Sequence, residues 1–154
     1  MNLDITRSIS MLNTVSFISL SVYEYLKYNS DKQKEELYYS SILLFIAGIH
    51  YAIMDVNKPT IETEIIIRYS DWFFTTPLLL VTLGKKFNIS NSIIKQWVIY
   101  DLLMIFFGYC YETTNNKNYW MLGTIMYLFI ICSILNTIGS HPIVIKYFVI
   151  GWTG

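Results

Sequence analysis

Three ionisable residues stand inside otherwise apolar stretches: Arg68, Asp71 and Asp101. His50 joins them on a neighbouring stretch. Charge is costly to remove from water, so such groups face a bundle interior and mark a functional path. Arg68 and Asp71 are three residues apart, so a helix puts them on one face, where they can pair directly or through water. Thr75 follows four residues after Asp71, and Thr82 seven after that, about two turns deeper. One helix face therefore reads Arg68, Asp71, Thr75, Thr82, and such a face can pass a proton or a small cation. The threonines alone also fit a packing stripe, each hydroxyl bonding a carbonyl of its own helix. Packing gives no account of two charges three residues apart.

The elements that must hold these groups follow from composition. The chain has 154 residues, of which 54% are hydrophobic, 17% aromatic and 14% charged. Soluble domains carry about 25% charged residues. Eleven basic and eleven acidic residues cancel, so no basic surface exists to attract nucleic acid. The aliphatic and aromatic load excludes a disordered chain. Two cysteines, Cys110 and Cys132, are too few for a disulfide scaffold, and no His or Cys cluster has metal-ligand spacing. The solvent that suits this chain is a bilayer.

A spanning helix needs ~20 mostly apolar residues. Stretches of about that kind run from about Ser8 to Tyr28, Leu37 to Met54, Ile65 to Leu83, Ile93 to Tyr111 and Tyr119 to Ile138. A sixth begins near Ile143. Only short polar connectors separate them, so residues 1–154 read as one all-α transmembrane domain. With the N-terminus outside, Lys27, Lys32, Lys34, Lys85, Lys86, Lys95 and Lys146 lie inside, and Arg7, Lys58 and Lys117 outside. This bias satisfies the positive-inside rule. The sixth stretch is about a dozen residues long, roughly 18 Å of helix. It is short of a ~30 Å hydrocarbon core, and reads as a cut chain or as a re-entrant segment.

Pro77 interrupts the third stretch, where a neighbouring helix or threonine hydroxyls can satisfy the freed carbonyl. Trp72, Trp97, Trp120 and Trp152 are spread over four stretches. Interfacial belts account for tryptophans near span ends. Trp72 lies too deep for that and suggests an aromatic wall of a ligand pocket. Glu24 on the first stretch is open to two readings, a pore-lining carboxylate or an interfacial one beside Lys27.

The run Arg68-Tyr69-Ser70-Asp71-Trp72-Phe73-Phe74-Thr75-Thr76-Pro77-Leu78-Leu79-Leu80 closely resembles the third helix of the microbial (type 1) rhodopsins. His50-Tyr51 is similar to the His-Tyr pair of their proteorhodopsin branch, and Asp101, Met104 and Gly108 match the fourth-helix pattern. Trp120 and Trp152 fall where the fifth and sixth helices supply ring-contacting tryptophans. The resemblance implies a seven-helix bundle, all-trans retinal as cofactor, the bilayer and protons or small cations as partners, and a homo-oligomer.

It also implies roles. Asp71 would be the counterion of a protonated retinal Schiff base and its first proton acceptor. Arg68 would tune it from the outer side, Thr75 would hydrogen-bond it and His50 would pair with it. Trp72, Thr76, Met104, Gly108, Trp120, Tyr127 and Trp152 would wall the chromophore. Thr76 and Asp101 would share an interhelical hydrogen bond, with Asp101 protonated and structural. Leu79 stands where the branch separates green from blue absorbers, and leucine implies green.

Two departures stand out. The seventh helix, with its retinal-binding lysine, has no counterpart, and the lysines present lie at span edges or in connectors. Thr82 replaces the carboxylate that in pumps of the family returns a proton from the inside, and a hydroxyl stores no proton at neutral pH. The implied activity is a retinal photoreceptor, not an enzyme, driving protons outward. A light-gated cation channel and a photosensor are the competing readings, and outside the family a small membrane scaffold or transporter fragment.

Overall fold

The computed structural model describes residues 3–56 and 60–139, with backbone alone for 3–10 and 55–56. The sixth apolar stretch, Trp152, and the side chains of Arg7, Lys58 and Lys146 lie outside the described residues.

Five helices follow one another: α1 (Leu3–Ser30), α2 (Glu35–Val56), α3 (Ile61–Lys86), α4 (Asn91–Thr114) and α5 (Lys117–Ile138). Each packs against its sequence neighbours, and among the described residues no contact skips a helix. The short connections make consecutive helices antiparallel. Between α1 and α2 the turn is held by a 2.8 Å ion pair from Lys34 to Asp31. The Asp31 carboxyl is held below its ordinary value by its hydrogen bond to Lys34. Between α4 and α5, Asn115 takes the left-handed conformation at φ 52°, which asparagine tolerates, and Asn116 caps α5 by accepting from the Asn118 N–H at 3.0 Å.

The helix that carries the charges has well-marked ends. Thr60 caps α3, its Oγ1 accepting from the Thr63 N–H at 3.4 Å. Glu62 and Glu64 sit in the first turn, where the helix dipole favours anions, and Lys85 and Lys86 in the last, where it favours cations. Lys85 Nζ meets Glu35 Oε2 at 2.6 Å and so ties the end of α3 to the start of α2. That hydrogen bond raises the Lys85 ammonium above its ordinary value. Pro77 lies within α3 without ending it, although its missing N–H leaves the Phe73 carbonyl without its usual i+4 donor.

The tightest packing lies toward the C-terminal end of α3. Leu80, Trp97, Ile130 and Ile134 are almost wholly buried together, and Trp97 Nε1 donates to Ser133 Oγ at 2.8 Å. Trp97 is thus a core residue joining α4 to α5, not a belt residue. Gly84 is buried at the same level, where a Cβ would run into the Ile94 side chain. Large apolar side chains such as Leu12, Phe74, Phe106 and Phe129 point outward and are more than half exposed. α2 over Glu35–Met54, α4 and α5 are long and apolar enough to cross a membrane by composition alone. α1 is diluted by serines and threonines, and α3 by Arg68, Asp71 and its terminal charges.

Candidate functional site

α3 runs between α2 and α4, and both neighbours make polar contacts to it. From α2, His50 Nδ1 comes within 4.0 Å of Asp71 Oδ1, both side chains being largely shielded. That is beyond hydrogen-bond length. It is close enough for a strong charge interaction in a medium of low dielectric constant. Asp71 Oδ1 is buried and has no hydrogen-bond partner. The His50 ring stands edge-on to Tyr51 at 5.8 Å, and Tyr51 stacks on Phe17 of α1 at 5.5 Å. Tyr51 therefore fixes the His50 side of the site through α1.

From α4, Asp101 is fully buried, and its Oδ2 lies 2.6 Å from Thr76 Oγ1. The expected interhelical link is present. Thr76 Oγ1 also lies 2.9 Å from the Trp72 carbonyl. Thr75 Oγ1 donates to the backbone carbonyl of Asp71 at 2.9 Å, and Thr82 Oγ1 to that of Leu78 at 2.8 Å. Thr75 does bond to Asp71, then, but at its carbonyl oxygen and not its carboxylate. All three hydroxyls lie within hydrogen-bond distance of a carbonyl of their own helix, and Thr76 alone of the three also meets a side chain of a neighbouring helix.

No direct Arg68–Asp71 ion pair is formed. Arg68 Nη2 pairs instead with Glu112 Oε2 in the last turn of α4. Side chains on a helix lean toward its N-terminus, so Arg68 extends away from Asp71, toward the end of α3 where Glu112 lies. Tyr69 Oη donates to the other carboxylate oxygen, Oε1, at 3.1 Å. The guanidinium lies 5.7 Å from the Tyr69 ring centre and 5.5 Å from that of Trp72, within cation–π range. Glu112 and Tyr69 were not singled out in the sequence. The signal available was the stripe Asp101, Ile105, Gly108, Glu112, spaced four, three and four, which turns toward α3.

A cavity of about 270 Å³ lies between α4 and α5, lined by Met104, Gly108, Tyr111, Tyr119, Trp120, Gly123, Thr124 and Tyr127. Four of the expected chromophore-contacting residues, Met104, Gly108, Trp120 and Tyr127, meet here. Trp72, Thr76 and Leu79 lie on α3 and do not line it, and Trp72, Leu79 and Trp120 are partly exposed. Gly108 matters for shape. A Cβ there would stand 3.1 Å from Tyr69 Oη and 3.3 Å from its Cε1, so glycine lets the Tyr69 ring close against α4.

A sequence profile of the bacteriorhodopsin-like protein family matches residues 5–141. The chain belongs to that family. Among curated proteins it is 29% identical over 124 residues to bacteriorhodopsin-II of Haloarcula marismortui, covering 71% of this chain and 50% of that one. It is 31% identical over 108 residues to a green-light absorbing proteorhodopsin of a gamma-proteobacterium, covering 66% and 43%. It is 29% identical over 109 residues to a sensory rhodopsin of Halorubrum sodomense, covering 68% and 43%. The chain thus spans half or less of the length of these relatives. Family membership and the apolar helices together make it an integral, multi-pass membrane protein of the rhodopsin type.

Proposed function

We propose that the chain belongs to a retinal-bearing, light-driven proton pump with its N-terminus outside, and that Asp71 is its counterion and proton acceptor. The observation that carries this reading is the Asp71 carboxylate itself. It sits in mid-helix, with one buried oxygen unpartnered and His50 at 4.0 Å. A buried anion without a hydrogen-bond donor is costly unless a cation faces it. Asp71 is therefore suited to face a cationic group supplied by the cofactor. Similarity to a green-light absorbing proteorhodopsin supports a visible chromophore.

The residues present fit retinal. The cavity walled by Met104, Gly108, Trp120 and Tyr127 offers aromatic and thioether surface for an apolar ring. All-trans retinal, held through a lysine, would supply visible absorption and a light-triggered change of shape. Among the described residues every lysine lies in a connector or near a helix end, so none of these is placed to bind it opposite Asp71.

The remaining work falls to the chain's own groups. Asp71 takes up a proton, and His50 adjusts its affinity through charge. Thr76 has one hydroxyl proton and two neighbouring acceptors, the Trp72 carbonyl and Asp101. Both contacts are satisfied when Asp101 carries a proton and donates it to Thr76 Oγ1. Asp101 then acts as a neutral cross-link from α4 to α3, holding the Trp72–Thr76 turn in place. Leu79, one turn on, tunes absorption toward green.

Thr82 supports a second reading. Its hydroxyl is engaged with the Leu78 carbonyl and holds no titratable proton at neutral pH. Return of a proton from the inside would then depend on water, which suits a slow photosensor or a light-gated cation channel. The sensory rhodopsin among the relatives supports the former. Light-induced current measured against membrane voltage, in the protein carried to the length of its relatives and supplied with retinal, separates these readings. A current of one sign at all voltages indicates a pump, a current that reverses with the ion gradient a channel, and no current a sensor.

A further inference from the structure

The reading above uses Asp71 and leaves the charge pair at the other end of the same helix face without a task. Three observations bear on it. Arg68 pairs with Glu112 although Asp71 is three residues away on its own helix. Glu112 is itself held by a second group, Tyr69 Oη, at 3.1 Å. Arg68 Nε and Asp71 Oδ1 are both buried without partners. An unpartnered donor and an unpartnered acceptor at i and i+3 would satisfy each other if the guanidinium turned.

Resting on the reading of Asp71 as counterion, we infer that Glu112 is the positioning residue for Arg68. With Tyr69 it anchors the guanidinium at the outer end of α3, and so keeps the Asp71 carboxylate free to face the cofactor. The anchor needs two helices. α3 supplies Arg68 and Tyr69, and the last turn of α4 supplies the carboxylate. Gly108, one turn before Glu112, keeps the Tyr69 phenol within reach, since a Cβ there would press on Oη at 3.1 Å. Glu112 also lines a cavity of about 390 Å³ with Glu62, so a second carboxylate lies at the same end of α3.

The chain holds only two arginines, Arg7 and Arg68, so arginine labelling reports on this anchor with little overlap. The experiment is solid-state NMR of the full chain in lipid bilayers, with ¹⁵N-arginine and ¹³C-carboxyl glutamate or aspartate, reading nitrogen–carbon dipolar contacts. No pigment is required. The expected result is an Arg–Glu contact in the native chain that is lost in Glu112→Gln. An Arg–Asp contact should appear in its place, and vanish again in Glu112→Gln with Asp71→Asn. Glu112→Asp should restore an anchor that survives Asp71→Asn. An Arg–Glu contact that persists in Glu112→Gln would assign the anchor to Glu62 or Glu64 and overturn the inference, as would the absence of any new Arg–Asp contact. In the retinal-bearing protein, Glu112→Gln should shift absorption to the red, less than Asp71→Asn does, and Tyr69→Phe less again. A shift in Asp71→Asn with none in Glu112→Gln overturns the role of Glu112 alone. No shift in either variant sinks the reading of Asp71, and the dipolar contacts still decide the anchor.

Discussion

His50 Nδ1 on α2 stands 4.0 Å from Asp71 Oδ1 on α3, and the two groups face each other across the helix seam. The chain has two histidines, so labelled imidazole nitrogen is easily assigned. A dipolar contact between an imidazole nitrogen and an aspartate carboxyl carbon is expected in bilayers, lost in both His50→Asn and Asp71→Asn. A contact that outlives Asp71→Asn would place His50 against a different carboxylate.

The link between Thr76 and Asp101 makes a prediction about stability. Thr76→Val leaves the buried carboxyl of Asp101 without its partner, whereas Asp101→Asn keeps an N–H donor for Thr76 Oγ1. Interhelical hydrogen bonds in bilayers contribute about 1 kcal/mol. Thr76→Val should therefore cost about that much, and Asp101→Asn distinctly less, in denaturant unfolding from detergent. The opposite order would mean that the Asp101 carboxyl holds the fold through more than its bond to Thr76.

Gly108→Ala should destabilise the α3–α4 contact, because the new methyl group meets the edge of the Tyr69 ring and its hydroxyl. Overpacking of this kind costs about 1–3 kcal/mol. The displaced phenol should also release Glu112, so the alanine variant should show a weaker Arg–Glu contact. Native stability together with an intact contact would show that the ring moves aside freely.

Much of the fold is legible in the sequence because lipid-length apolar runs announce themselves. The first four helices extend past those runs at both ends, and α5 at its start. Thr60 and the acidic first turn start α3 at Ile61, four residues before apolarity begins. Glu112, which looks like the first residue of a polar connector, lies in the last turn of α4. The partner of Arg68 was not legible. Spacing within one helix favours Asp71, and the true partner is 44 residues away, reachable only once α3 and α4 are packed. The Thr76–Asp101 link was legible only through resemblance, since nothing in either helix alone pairs them. Trp97 shows the same limit. Its position near the start of α4 suits a belt residue, and only packing against Ile130 and Ile134 of α5 makes it core.

The Lys85–Glu35 ion pair gives a pH dependence. The Lys85 ammonium is raised by its hydrogen bond to Glu35, so its contribution is fully present below the ordinary lysine value of 10.5 and is lost as pH rises through the folded value. Glu35 is exposed and Lys85 partly so, and Glu35→Gln should cost under about 1 kcal/mol near neutral pH. The difference from the native chain should vanish in strongly alkaline solution. A difference that grows with pH would mean that Glu35 acts through another group.

The role of Asp71 is tested most directly by the absorption spectrum of Asp71→Asn, in the protein carried to the length of its relatives and reconstituted with all-trans retinal. Removing the anion leaves the cationic group of the cofactor without its facing charge. Pigment that stays protonated should absorb further to the red, it should lose its proton at lower pH than the native pigment, and one-way light-driven current should disappear. A spectrum and titration identical to those of the native pigment would contradict Asp71 as counterion, and with it the mechanism built on this helix face.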